Sequence, residues 1–381
     1  MSQTGLVFHD HYLAHDPGFA VIGTPPQPYP SNEPVPAFEH PRRVARVKEL
    51  IDGSGLIDQL IDVPPRPAEA EDVGLFHTRD YIKRVLEISV LLGVGDAGQG
   101  ARMTRGSYEI ALLAAGGAMA SVDAVLNGQV RKCYALGRPP GHHAVADMGM
   151  GFCIFNNVAV AALHALQRDG AERILIVDWD VHHGNGTQQA FYGNKQVLFI
   201  SLHQEGLYPE NSGLVAQVGE GAGEGFTVNL PLPAGTGDAG YLQAFERVVV
   251  PIAKQFAPDL LLVSSGLDAS RMDPLGRMMV TAEGFRRMTR SMKEVADDFS
   301  GGRMVVMHEG GYSQSYAPFC GLAIVEEMAG VRTSMSDRSG QERADRFRPS
   351  YEVGLDTERA LREIIEFQNR YWRLQAPSVS R

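Results

Sequence analysis

A chain of 381 residues with 44% hydrophobic residues is long enough for one large α/β domain or two smaller ones around a sizeable core. Its net charge of −10 argues against wholesale nucleic-acid binding, and an acidic surface suits a cationic substrate. No run of about 18 apolar residues is present, so no membrane span is expected. No basic segment followed by an apolar one opens the chain, and the three cysteines, Cys133, Cys153 and Cys320, form no ligand-like cluster. They read as small buried hydrophobes of a protein in a reducing, cytoplasmic compartment.

Along the chain, residues 17–41 come first. Their prolines (TPPQPYPSNEPVPAFEHP) exclude regular structure and predict a surface loop, or an ordered loop at a pocket rim or subunit contact. A helix is expected over 108–126. A strand over 133–136 then leads into GRPPGHH, which ends in His142 and His143. After a helix over 157–168, the apolar run 174–177 reads as a buried parallel strand. Another strand is expected over 197–201 and a helix over 241–255. The strand 260–264 is followed by SGLDASRMDP, with Asp268 and Asp273. After a helix over 283–298, the strand 304–307 is followed by HEGGY, with Glu309 and Tyr312. Residues 333–350 are polar and read as a linker. The helical stripe over 356–374 is expected to pack on the same domain, so the chain is taken as one domain, 1–381. Alternating strands and helices predict an α/β fold, a parallel sheet with helices on both faces.

The densest chemistry is DWDVHHGNGTQ, residues 178–188. Asp178, Asp180 and His182 occupy alternate positions, which on extended backbone point to one side. Two carboxylates and an imidazole buried there cost several kcal/mol unless paired, and a bound cation is the simplest remedy. Each other piece has a plain reading. The paired histidines suit a turn with satisfied imidazoles, Asp268 a helix cap, and Tyr312 a buried aromatic. Four strand ends offering acids, imidazoles and a phenol on one sheet edge are more specific, because parallel α/β sheets bind ligands there.

Together, RPPGHH (138–143), GFCIFNN (151–157), DWDVHHGNGT (178–187), GLDASRMDPL (267–275) and EGGY (309–312) resemble the histone deacetylase superfamily. Asn185, where class I members usually carry aspartate, points to bacterial class II deacetylase-like amidohydrolases, with acetylpolyamine amidohydrolases nearby. The resemblance implies an open α/β sandwich with a central, mostly parallel sheet, and one catalytic Zn2+ held by Asp180, His182 and Asp268. It also implies one or two structural K+ sites. One would use Asp178, Asp180, His182, Ser201 and Leu202, the other Phe191, Asn194 and Val197. Two carboxylates, one imidazole and an open position suit a catalytic site, with no thiolate to select zinc over Fe(II) or Co(II).

The implied reaction is hydrolysis of an N-acylated amine, an acetyl-lysine peptide or an acetylpolyamine, by metal-activated water. His142 would pair with Asp178 and be the more basic, electrostatic residue. His143, near Asn185, would be the neutral base and later the acid. Tyr312 would donate to the oxyanion. Phe152, Tyr208, Leu275 and Gly151 match the walls of a narrow channel. Asp96, in GVGDAGQG, is a candidate rim carboxylate whose competing reading is a solvated loop acid. His183 and His203 read as structural, and His308 as a neighbour of the site. Relatives of this kind suggest a homo-oligomer, dimer or tetramer. The alternatives are a binuclear manganese ureohydrolase, marked by two tightly bound Mn(II); an acyl-lysine binding module, marked by loss of the tyrosine; and an esterase or xenobiotic amidase on the same site.

Overall fold

A computed structural model of the protein describes residues 4–20, 35–168, 170–335 and 352–374. Residues 21–34 of the proline-rich loop and 336–350 of the expected linker lie outside them. Eight strands form one sheet. They are β1 (Thr4–Val7), β2 (Ile61–Asp62), β3 (Lys132–Ala135), β4 (Ile174–Asp178), β5 (Val197–Gln204), β6 (Thr227–Leu232), β7 (Leu260–Ser265) and β8 (Met304–His308). Their order is β6-β5-β4-β7-β8-β3-β1-β2, and every neighbouring pair is parallel.

A parallel sheet must be covered on both faces, because its crossovers place helices there. The strands obey this residue by residue. Leu175 and Val177 of β4 and Leu261 and Val263 of β7 join one apolar cluster. Facing them are Val44 and Val47 of α1 (Arg42–Gly53), Phe285 and Met288 of the helix Ala282–Phe299, and Leu322 of the helix Ala317–Ala329. Ile174, Ile176, Leu260 and Leu262, one position along, join a second cluster. There they meet Val122 and Val125 of α2 (Ser107–Leu126) and Val158 and Ala162 of α3 (Asn157–Ala165). By length and composition α2 passes for a membrane span, but 72% of the apolar window is buried inside the protein, so its hydrophobicity serves the core.

From β4 the chain runs outward through β5 to β6, then returns on the other side of β4 as β7. The reversal opens a crevice beyond the C-terminal ends of β4 and β7, where α/β sheets bind ligands. The five anticipated strands are present. β1, β2 and β6 were not anticipated. β2 has only two residues and β1 opens with Thr-Gly, too little for a periodic signal. β6 (TVNLPL) carries Asn229 and Pro231, and the proline is tolerated because β6 is an edge strand. The helix expected over 241–255 is two helices, Asp238–Ala244 and Val250–Phe256, joined by a π turn at Phe245–Val249; Pro251 has no N–H to give an unbroken α ladder. The C-terminal helix Leu355–Gln368 packs Leu361, Ile364 and Ile365 into the first cluster.

Candidate active site

Beyond β4 the alternation continues. Trp179 and Val181 enter the apolar cluster, and the Trp179 indole N–H donates to Ser265 Oγ at 3.0 Å. Asp178, Asp180 and His182 therefore share the opposite side. One ligand-type atom each from Asp180, His182 and Asp268 falls within 4.8 Å of the others, and all three residues are buried. His182 Nδ1 lies 3.0 Å from Asp180 Oδ1 and 3.3 Å from Asp268 Oδ2. Burial alone would lower the His182 pKa, but the Asp180 and Asp268 carboxylates beside it carry it up to about 10. Backbone donors serve the remaining oxygens: Gly310 N–H to Asp180 Oδ2 (2.9 Å) and Val181 N–H to Asp268 Oδ1 (2.9 Å). Asp268 Oδ2 is buried, and apart from the charge contact with His182 no donor reaches it in hydrogen-bonding geometry. A Cβ on Gly266 or Gly310 would collide with these carboxylates, so both glycines keep the cradle open. An orphaned carboxylate oxygen beside a second carboxylate and an imidazole is a donor set that fits a divalent cation.

His142 and His143 lie beside this group, ring centroids 4.1 Å apart and planes tilted by 43°. His142 Nδ1 is 3.0 Å from Asp178 Oδ2, and His143 Nδ1 is 2.8 Å from Asn185 Oδ1. Asn185 opens the helix Asn185–Phe191. Burial works against protonation of both rings. For His142 the carboxylates of Asp180 and Asp178 overcome it, and the pKa lies well above the usual imidazole value. For His143 burial is reinforced by the charges of His142 and His182, and the pKa lies well below it. The Tyr312 phenol is raised by burial, against the pull of the Arg43 guanidinium 5.2 Å from its ring centroid, and so remains a neutral donor.

Of these groups His143, His182 and Tyr312 line a cleft of ≈ 460 Å³, together with Gln99, Gly100, Gly151, Phe152, Leu207, Tyr208 and Leu275. Gly151 and Phe152 both have positive φ, 49° and 70°. A Cβ at Gly151 would lie 2.5 Å from His143 Cδ2 and 2.9 Å from Tyr208 Cε1, so only glycine fits. Leu207, Gln99 and Gly100 were not anticipated as lining residues; only their neighbours in sequence carried a signal.

Other candidates are placed elsewhere. Asp96 Oδ1 accepts the Gly98 and Ala101 N–H groups, so this carboxylate shapes its own loop. His183 bonds Ser212 and Gln188, and His203 bonds Ser201 and the Gly213 carbonyl, as structural histidines do. Two of the side chains expected at potassium are already bonded within the protein. Asp178 spends Oδ1 on the Asp180 N–H and Oδ2 on His142, and Ser201 Oγ pairs with His203. Phe191 accepts the Asn194 N–H through its carbonyl, at the turn before Val197.

Sequence reasoning missed a second buried charge cluster behind the site. Glu39 Oε1 accepts from Arg43 Nε (2.9 Å) and Arg138 Nε (2.7 Å), and Oε2 accepts from Arg138 Nη2 (2.7 Å). Arg43 also donates to the Glu309 carbonyl (2.8 Å) and lies 3.1 Å from His308 Nε2. Two further buried carboxylates, noted in the sequence without a role, hold backbone. Glu309 accepts the Gly141 and His142 N–H groups, and Asp273 those of Tyr312 and Ser313.

Comparison with known proteins agrees with this geometry. A histone deacetylase domain family matches residues 37–328. The chain is 47% identical over 299 residues to a histone deacetylase-like amidohydrolase of Pseudomonas aeruginosa, covering 78% of each chain. It is 39% identical to a probable deacetylase of Archaeoglobus fulgidus, over 87% of this chain and 88% of that one. The crystal structure of an HDA15 HD domain superimposes with a TM-score of 0.85 at 33% identity, covering 97% of this chain and 95% of that one. With its eight-stranded parallel sheet and the cluster at its strand ends, this chain belongs to the histone deacetylase family of deacetylases and amidohydrolases.

Proposed function

We propose that the protein is a zinc-dependent amidohydrolase that removes acetyl or other acyl groups from lysine-like amines. The observation that carries the reading is Asp268 Oδ2, left without a hydrogen bond beside Asp180 and His182, of which His182 lines an aromatic cleft. Those three residues would hold the metal, which when bound supplies a Lewis acid that polarises the acyl carbonyl and makes a water more acidic.

The chain's own groups do the rest. His143, kept neutral by burial and by the charges of His142 and His182, takes a proton from the attacking water and returns it to the leaving amine. Asn185 holds its Nδ1, so that Nε2 is the nitrogen left for the cleft. His142 stays an imidazolium against Asp178 and Asp180 and adds fixed positive charge. Tyr312 donates its phenol proton to the developing oxyanion, where a donor in a water-poor site is worth most. Phe152 and Tyr208 flank the substrate's methylene chain.

The wall chemistry favours acyl-lysine over acetylpolyamine. None of the described residues lining the cleft is a carboxylate, so a further ammonium on the amine chain would meet no counter-ion among them. The test is a panel of acetyl-lysine peptides, longer acyl-lysines and acetylated polyamines, run with purified protein, with chelator, and with chelator followed by zinc. The expected result is peptide hydrolysis that chelator abolishes and zinc restores. Chelator-insensitive hydrolysis would overturn the metal reading, and preference for acetylpolyamine would overturn the substrate reading.

A further inference from the structure

We propose that Asp273 is the positioning residue for Tyr312, the group that fixes where its hydroxyl meets the reacting carbonyl. The proposal rests on the reading of Tyr312 as the oxyanion donor.

Tyr312 lies outside any helix or strand, between the end of β8 at His308 and the helix that starts at Ala317. Two glycines precede it, and Gly311 has φ of 117°, a conformation with no side-chain preference to hold it. Its own segment therefore does little to orient it: Arg43 steadies the Glu309 and Gly311 carbonyls before it, and the segment after β7 holds the Tyr312 and Ser313 N–H groups themselves. The Leu267 N–H donates to the Gly310 carbonyl at 3.1 Å. Asp273 Oδ2 then accepts the Tyr312 N–H at 2.6 Å and the Ser313 N–H at 3.1 Å. Oδ1 accepts the Leu275 N–H at 2.9 Å, which orients the carboxylate so that Oδ2 faces the tyrosine. Asp273 is buried, and its hydrogen bonds among the described residues go to backbone N–H groups rather than to a cationic side chain. A buried carboxylate spent on three amides is an expensive way to build a turn unless the turn's position matters. The same segment carries Asp268, so the tyrosine and the metal-ligand set share one support.

The leverage is large. A phenol reaches roughly 6.5 Å from its Cα, so a backbone rotation of about 10° moves the hydroxyl by about 1 Å, a displacement that can cost on the order of 10²-fold in rate.

The test uses Asp273→Ala, Asp273→Asn, Tyr312→Phe and the Asp273→Ala/Tyr312→Phe double variant in the full chain. Asp273→Ala is expected to lower kcat about 100-fold with KM and bound metal changed less than about threefold. Asp273→Asn keeps one acceptor and should fall between it and wild type, which covers the case in which the alanine variant does not fold. In the Tyr312→Phe background, Asp273→Ala should cost less than about threefold, because the group it positions is gone. Amide hydrogen exchange of residues 309–316 should speed up in the single variants while that of 304–308 does not. Additive losses in the double variant, or unchanged exchange at 309–316, would overturn the proposal. If wild-type protein hydrolysed no acyl amide, the functional reading would fail, and the exchange result would still decide the role of Asp273.

Discussion

Glu39 with Arg43 and Arg138, and Asp180 with His182 and Asp268, are two sets of charged side chains taken out of water in one protein, and they are balanced in opposite ways. In the first, one carboxylate meets two guanidiniums, and the remaining donors reach the carbonyls of Tyr12, His15, Glu39 and Glu309. In the second, two carboxylates meet one imidazole, and Asp268 Oδ2 is left over. A buried set that closes on itself is architecture; one left with excess negative charge is built to receive a cation. Arg43 joins the two, bracing the Glu309 backbone from behind while Glu309 holds the loop of His142.

The largest way to break this contrast is Asp268→Ala. Bound metal should fall to background and hydrolysis by at least about 10³-fold, as metal analysis and initial rates would register. Metal-bound Asp268→Ala with rates near wild type would mean that the unbalanced cluster is not a cation site. Next come the histidines. His143→Ala should cost about 10³-fold in kcat/KM and His142→Ala about 10²-fold, because a transferred proton is harder to replace than a fixed charge. The reverse ranking in steady-state kinetics would exchange their roles.

Glu39→Gln probes the closed cluster. It leaves two buried guanidiniums without their counter-charge and should destabilise the fold by about 3–5 kcal/mol in denaturant unfolding. A loss under about 1 kcal/mol would show that the two clusters are not different in kind. The smallest effect is in pH. His143 must be neutral and its pKa is lowered, so kcat/KM should hold as pH falls through 6.5 and drop only below it. His142 must be charged and its pKa is raised, so the alkaline limb should lie above 6.5. Asp178→Asn removes one cause of that rise and should move the alkaline limb to lower pH in a pH–rate profile.

The strand ends were legible in the sequence because period-2 alternation and apolar runs are local signals, as in β4 and the Asp178, Asp180, His182 series after it. β6 was hidden by Pro231 and Asn229, which only an edge position excuses. Arg138 stood within a quoted motif and Arg43 four residues after Glu39, yet nothing local distinguishes a buried guanidinium from a solvated one; their meeting depends on long-range packing. Asp273 was visible as an acid near a strand end, but its partners at Tyr312 and Ser313 are 39 and 40 residues away.

The left-handed pair at Gly151 and Phe152 bears on how this cleft can change over generations. One wall is written in backbone conformation: any side chain at 151 would strike His143, and Phe152 is held where few residues sit comfortably. Tyr208 and Leu275 line the same cleft without a left-handed backbone. Single substitutions at Tyr208 or Leu275 are therefore the easier route to a reshaped cleft in descendants of this chain, while the Gly151–Phe152 turn stays fixed unless it is rebuilt as a whole.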